Sequence, residues 1–142
     1  MSPGQYYNEY LNVQVSTSNK VKLIILLYER AVFLLQNARD LNGKDQIRQR
    51  CKNIVKAQEI ILELLSALNF QAGEVAKSLH SLYVYFYKRL NDAIFKKDTK
   101  ALDEIIRLLN LLKESWIEIS NHPDIRKKNT VPQQTSMALR SV

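Results

Sequence analysis

Two histidines, one cysteine and a few neighbouring carboxylates are the first candidates for chemistry in this 142-residue chain. His80 sits inside a helical stretch between Leu79 and Ser81. An exposed histidine on a helical bundle could accept a phosphoryl group, as in a histidine phosphotransfer domain. That chemistry needs open surface, a nearby Lys-Gly pair and small residues following. Here Leu82-Tyr83-Val84-Tyr85-Phe86-Tyr87 follows instead and crowds the position. His122 precedes Pro123 at a helix end, where a cation or cap is ordinary. Cys51 falls on an apolar stripe and reads as a small buried hydrophobe. Two His and one Cys, widely spaced, cannot supply the four ligands of a structural zinc site. No Glu-x-x-His pair is present, which removes a di-iron bundle centre. Asp103-Glu104 and Glu114/Glu118 have the pattern of solvated helix faces, and Tyr83, Tyr85 and Tyr87 are expected to divide between core and rim. No catalytic constellation emerges, and neither cofactor nor metal is expected.

The elements that carry these residues follow from composition and punctuation. Apolar residues make up 46% of the chain and charged residues 25%, a globular balance. A domain of this length buries about 70% of the surface its unfolded chain exposes. None of the three Gly and three Pro lies between Lys44 and Ala72 or between Glu74 and His122, which excludes turn-rich β architectures. The longest apolar runs, Leu23–Tyr28 and Leu82–Tyr87, are six residues and too short to span a bilayer. No apolar block precedes Lys20, so no secretory signal is expected. A lone Cys51 is consistent with a reducing, cytoplasmic setting. The net charge of +7 is spread among 14 acids, a pattern of solubility or of an acidic partner more than of nucleic-acid binding.

The expected fold is all-α: an antiparallel four-helix bundle with an extended or short-helical N-terminal segment and a disordered C-terminal tail. The boundaries are 1–18 for a capping segment, 19–121 for the bundle and 122–142 for the tail. The first helix runs from about Lys20 to Leu41, with Ser18 or Asn19 as N-cap and Gly43 beyond its end. The second runs from about Asp45 to Leu68, the third from about Glu74 to Lys97. Asp98-Thr99 caps a fourth that ends near Ser120, before Pro123.

The helix faces carry more apolar surface than a bundle requires. About three apolar positions in seven suffice for a bundle helix. Helix four has a core stripe of Leu102, Ile105, Leu109, Leu112, Trp116 and Ile119, with Ala101, Leu108 and Leu111 beside it. Helix two has Ile47, Cys51, Ile54, Ile61, Leu65 and Leu68, and adds Ala57, Ile60, Leu62 and Leu64. Helix one is apolar nearly all round, since Leu26 and Phe33 interrupt its polar line of Lys22, Glu29 and Gln36. The surplus admits a tight homodimer or a generous core, a groove for a partner's amphipathic helix, or a cover formed by the aromatic N-terminal segment.

At these residues the chain resembles the FliS-type flagellar secretion chaperones. Tyr10-Leu-Asn-Val-Gln-Val15-Ser-Thr17 is similar to the family's entry into the first helix, and Lys22-Leu23 with Leu27-Tyr28 and Ala31 to its next signature. Asn53-Ile54, Ala57-Gln58, Ile60-Ile61 and Glu63-Leu64 follow, then Gly73-Glu74-Val75-Ala76, Leu79, Leu82-Tyr83 and Tyr85. Leu90-Asn91, Lys97-Asp98, Leu102, Leu112 and Trp116 complete an ordered set over about residues 6 to 119. Asn19-Lys20 replaces the family's usual Ser-Pro, Arg30 stands at a usually small position, and the basic Arg126-Lys127-Lys128 has no family counterpart.

The resemblance implies a cytoplasmic chaperone, not an enzyme. It implies binding of the C-terminal segment of flagellin, prevention of its premature polymerisation, and support for its export, with export-gate components as further partners. The partner-binding candidates are Ala57, Ile60, Ile61, Leu64, Leu68, Tyr83, Leu108 and Leu111, with Tyr6, Tyr7 and Tyr10 as a removable cover. Nucleic acid and direct membrane insertion are not expected. A homodimeric scaffold and a phosphotransfer domain are the alternatives.

Overall fold

The computed structural model describes residues 17–69 and 73–121. Four helices occupy nearly all of them: α1 Thr17–Asp40, α2 Ile47–Ser66, α3 Glu74–Phe95 and α4 Thr99–Asn121. A single 3-10 turn, Lys44–Gln46, leads into α2. No strand occurs among the described residues. The expected capping tyrosines Tyr6, Tyr7 and Tyr10 and the expected tail from 122 onward lie outside the described residues.

Each boundary has a local cause. α1 begins at Thr17, so Ser18 and Asn19 lie inside its first turn and neither is the N-cap expected from sequence. The Gly43 amide donates to Gln46 Oε1 at 3.0 Å, holding the turn before α2 in place of a longer α-helix from Asp45. α2 stops two residues short of Leu68 because the Ala67 and Leu68 amides turn back onto Glu63 and Leu65. Gly73 precedes α3 with φ +99, a backbone region that favours glycine. α3 ends at Phe95, not Lys97, because Lys97 takes the left-handed conformation (φ +51) that terminates helices. The expected cap of α4 is present: Asp98 Oδ1 accepts from the Ala101 amide at 3.2 Å.

Neighbours in sequence run antiparallel. Arg50 near the start of α2 donates from Nη1 to the Ala93 carbonyl near the end of α3, at 3.0 Å. Arg39 at the end of α1 pairs with Asp103 at the start of α4 at 2.8 Å. α1 packs most heavily against α2 and α4, and the α3–α4 seam is the most sparsely packed of the four. This position accounts for much of the apolar surface of α1, whose Val21, Tyr28, Ala31, Leu35 and Ala38 are wholly buried. A hydrophobic centre of this kind is the main stabilising term of the fold.

Three ring side chains tie α1, α3 and α4 together inside that core. The Tyr28 and Tyr83 hydroxyls share a hydrogen bond, and Trp116 Nε1 donates to the Tyr28 oxygen at 3.2 Å. Burial favours the neutral form of both tyrosines, raising the Tyr28 hydroxyl above its ordinary value against the opposing hydrogen bonds and the Tyr83 hydroxyl well above it. Tyr28→Phe removes the shared partner and strands two polar groups. It is expected to cost about 1–3 kcal/mol, whereas Tyr83→Phe, which leaves Tyr28 bonded to Trp116, should cost less. Urea unfolding of the two variants reads the difference, and equal losses would show that Tyr28 is not the hub.

Candidate functional site

The apolar surplus can now be placed residue by residue. On α2, Ala57, Ile60, Ile61 and Leu64 are buried, as is Leu68 just beyond it, and Tyr83 of α3 joins them in the core. These six partner-binding candidates therefore lie in the interior of the bundle; of the α2 residues that looked surplus, Ala57, Ile60 and Leu64 are core and Leu62 stays exposed. The expected α2 core stripe is displaced accordingly: Ile54 and Ile61 are buried, Cys51 and Leu65 only half-buried, and Ile47 exposed. Lys56 and Glu59 keep the solvated side, and Glu63 is half-buried. Of the tyrosines, Tyr83 is buried, Tyr87 half-buried and Tyr85 exposed, the division the sequence predicts.

On α4 the surplus stays at the surface. Asp103 faces α1 through Arg39, while Glu104 faces α3, accepting from Arg89 Nε at 3.0 Å and from the Tyr85 hydroxyl at 2.8 Å. One residue apart, these two carboxylates are separated by about 100° around the helix and mark the edges of its outer surface. Leu111, eight residues beyond Asp103, lies about 80° round from it, between the edges and toward α3. Leu108 and Leu112, one and two turns beyond Glu104, follow the α3 edge. Leu111 is 51% exposed, Leu108 and Leu112 are half-buried, and Ile119 is exposed. Across the seam, Leu82 lies one turn before Tyr85 and is half-buried. The result is an apolar seam between α3 and α4. Two of its members correct the sequence reading, since Leu112 and Ile119 were expected in the core. A second apolar surface lies on the outer face of α1, where Leu26 is 58% and Phe33 51% exposed.

An ion-pair cluster closes the seam at one end. Arg89 binds Asp98 at 2.8 Å, Glu104 at 3.0 Å and Asp92 at 3.2 Å. The Arg89 guanidinium and the cap to Ala101 hold the Asp98 carboxyl below its ordinary 3.8, and Glu104 pushes the Tyr85 hydroxyl up. The sign for Asp98 follows directly. A carboxyl lowered on folding stabilises the fold above pH 3.8, and that contribution is lost as pH falls through its still lower folded value. Asp98→Ala should lower the melting temperature at pH 7 and flatten the melting curve's acid dependence below pH 3.8. Asp98→Asn keeps a cap-competent side chain and should retain part of the melting temperature.

Sequence reasoning missed this cluster and the buried polar groups Arg50, Asn53 and Gln58. Gln58 Nε2 donates to the Tyr87 carbonyl at 3.1 Å and to Asn91 Oδ1 at 2.8 Å, bridging α2 and α3. Their signal was positional: Gln58 stands four residues after Ile54, and Arg50 four before it, on a helix side that is otherwise apolar. His80 is half-buried on α3. Among the described residues no group of His, Cys, Asp and Glu could hold a metal, and no helix is long and apolar enough to cross a membrane.

Among the described residues the bundle leaves an apolar seam between α3 and α4 and an apolar outer face on α1, surfaces of the kind that can hold another chain. The sequence model described as flagellar protein FliS matches residues 3–123, and the chain belongs to that family. It is 37% identical over 118 residues to the flagellar secretion chaperone FliSB of Pseudomonas aeruginosa, covering 82% of this chain and 94% of that one. It is 30% identical over 110 residues to the flagellar secretion chaperone FliS of Bacillus subtilis, covering 78% and 82%. Against FliS of Salmonella typhimurium the identity is 32% over 108 residues, covering 75% and 80%. The family is one of flagellar export chaperones, not enzymes.

Proposed function

We propose that this chain acts in the cytoplasm by binding the C-terminal segment of flagellin, preventing its premature polymerisation and supporting its export. The observation that carries the reading is the α3–α4 seam: Leu111 and Ile119 are exposed and Leu82, Leu108 and Leu112 half-buried on a folded bundle. An apolar seam between helices takes the apolar face of a partner helix. A flagellin segment that is disordered alone gains helix on docking, and burial of its apolar side offsets the ordering entropy. The outer face of α1, with Leu26 and Phe33, offers a second contact for a segment long enough to wrap the bundle. Tyr6, Tyr7 and Tyr10, outside the described residues, are proposed as a cover that the partner displaces. Export-gate components are the further partners this reading implies.

Co-expression with full-length flagellin and with flagellin lacking its C-terminal segment tests the proposal. Retention of the first and loss of the second is the expected result. Equal capture of both would sink the C-terminal assignment. Binding of neither, with a mass that grows with protein concentration, would favour a homodimeric scaffold.

A further inference from the structure

A third apolar surface runs between α2 and α3, on the side of α3 away from the α3–α4 seam. Its register is set by Gln58, whose Nε2 donates to the Tyr87 carbonyl and to Asn91 Oδ1. Val55 lies three residues before Gln58 and Leu62 four after it, so both share its α3-facing side of α2. They are 43% and 45% exposed. On α3, Val84 stands two turns before Asn91 on the same line, with Tyr87 between them, and all three are half-buried. Ile94, also half-buried, continues that side, and Phe95 beside it at the helix end is 80% exposed. Val84 to Ile94 covers about 15 Å, roughly three turns of a helix laid alongside. Gln58 spends both amide hydrogens inside the bundle, so the floor of this groove calls for an apolar stripe and not for a polar ligand.

The rim selects among apolar stripes by charge. Arg48 lies two turns before Val55 on the same line of α2, Lys52 three residues before Val55, and Lys88 four after Val84. All three are exposed, and none makes an ion pair among the described residues. The acid on this side is Glu59, between Val55 and Leu62. Asp92 is engaged on the other side of α3, by Arg89 at 3.2 Å and Lys96 at 3.6 Å. We infer that the α2–α3 groove docks a second protein, through an amphipathic helix whose apolar stripe is flanked by Asp or Glu. Its aliphatic side chains pack against Val55, Leu62 and Val84, while its carboxylates meet Arg48, Lys52 and Lys88. The groove and the seam proposed for flagellin lie on opposite sides of α3, so both can be filled at once and neither reading rests on the other.

The probe is a synthetic helical peptide with leucine along one face and glutamate on both flanks. The same peptide with lysine in place of glutamate is the control, and backbone amide resonances of the full chain are followed. Saturable shifts are expected at Val55, Leu62, Val84 and Lys88, with the lysine-flanked peptide bound at least about tenfold more weakly. Lys52→Glu combined with Lys88→Glu should weaken the glutamate-flanked peptide by about tenfold, and Leu62→Asp by more. All three side chains are exposed, so thermal unfolding of the free variants should stay near that of the parent. Leu111→Glu, on the seam, should leave the peptide's affinity unchanged, and the flagellin C-terminal segment should not displace the peptide. Equal affinity for the two peptides, shifts confined to the α3–α4 seam, or displacement by the flagellin segment would overturn the second-partner site. A dimer of the free protein that Leu62→Asp dissolves would assign the groove to a second copy of this chain and overturn it as well.

Discussion

Phe86→Ala is expected to destabilise the bundle by about 3–5 kcal/mol, the range for emptying a buried aromatic position. Phe86 is wholly buried on α3 and stacks obliquely on Tyr83, with ring centroids 6.3 Å apart. Its loss would remove apolar burial and unsettle the Tyr28–Tyr83–Trp116 network in one step. A bundle of this size has about 5–15 kcal/mol in total, so the variant should sit near the edge of unfolding at 37 °C. Leu112→Ala is the informative contrast. Sequence periodicity places Leu112 on the core stripe, but it is half-buried at the seam, and its truncation should cost less than about 2 kcal/mol. Denaturant midpoints for the two variants decide between them. A larger loss for Leu112→Ala would mean that the seam is packed as tightly as the core.

The four helices were legible in the sequence because their signals are local: caps, glycine and proline punctuation, and a 3.6-residue apolar period. Asp98 capping α4 and Gly73 opening α3 are such signals, and both hold. Which apolar stripe faces inward is not local. Ala57, Ile60 and Leu64 read as surplus because a single helix cannot reveal how many neighbours it has. Placed against α1 on one side and α3 on the other, α2 buries Ile54 and Ile61 together with Ala57, Ile60 and Leu64, while Ile47 and Leu62 stay exposed. The same blindness hides Arg50 and Gln58, whose acceptors on α3 lie 43 and 29 residues away in sequence. At the fourth helix the surplus is real, because the α3–α4 seam is loosely packed and Leu111 has no helix beyond it.

Leu111→Glu should therefore separate binding from folding. The side chain is half-exposed on the free bundle, so a carboxylate there stays solvated and the unfolding midpoint should change little. In a complex the same carboxylate would be pressed against the apolar face of the flagellin segment and lose much of its water. The expected loss of affinity is about 1–3 kcal/mol, or roughly fivefold to a hundredfold in Kd. Leu108→Glu should weaken binding as well but also lower stability, because Leu108 is half-buried against the core. Calorimetric titration with the isolated flagellin segment, paired with thermal unfolding of each free variant, reads both quantities. Unchanged affinity in Leu111→Glu would remove the α3–α4 seam from the binding surface and leave the outer face of α1, at Leu26 and Phe33, as the next surface to charge.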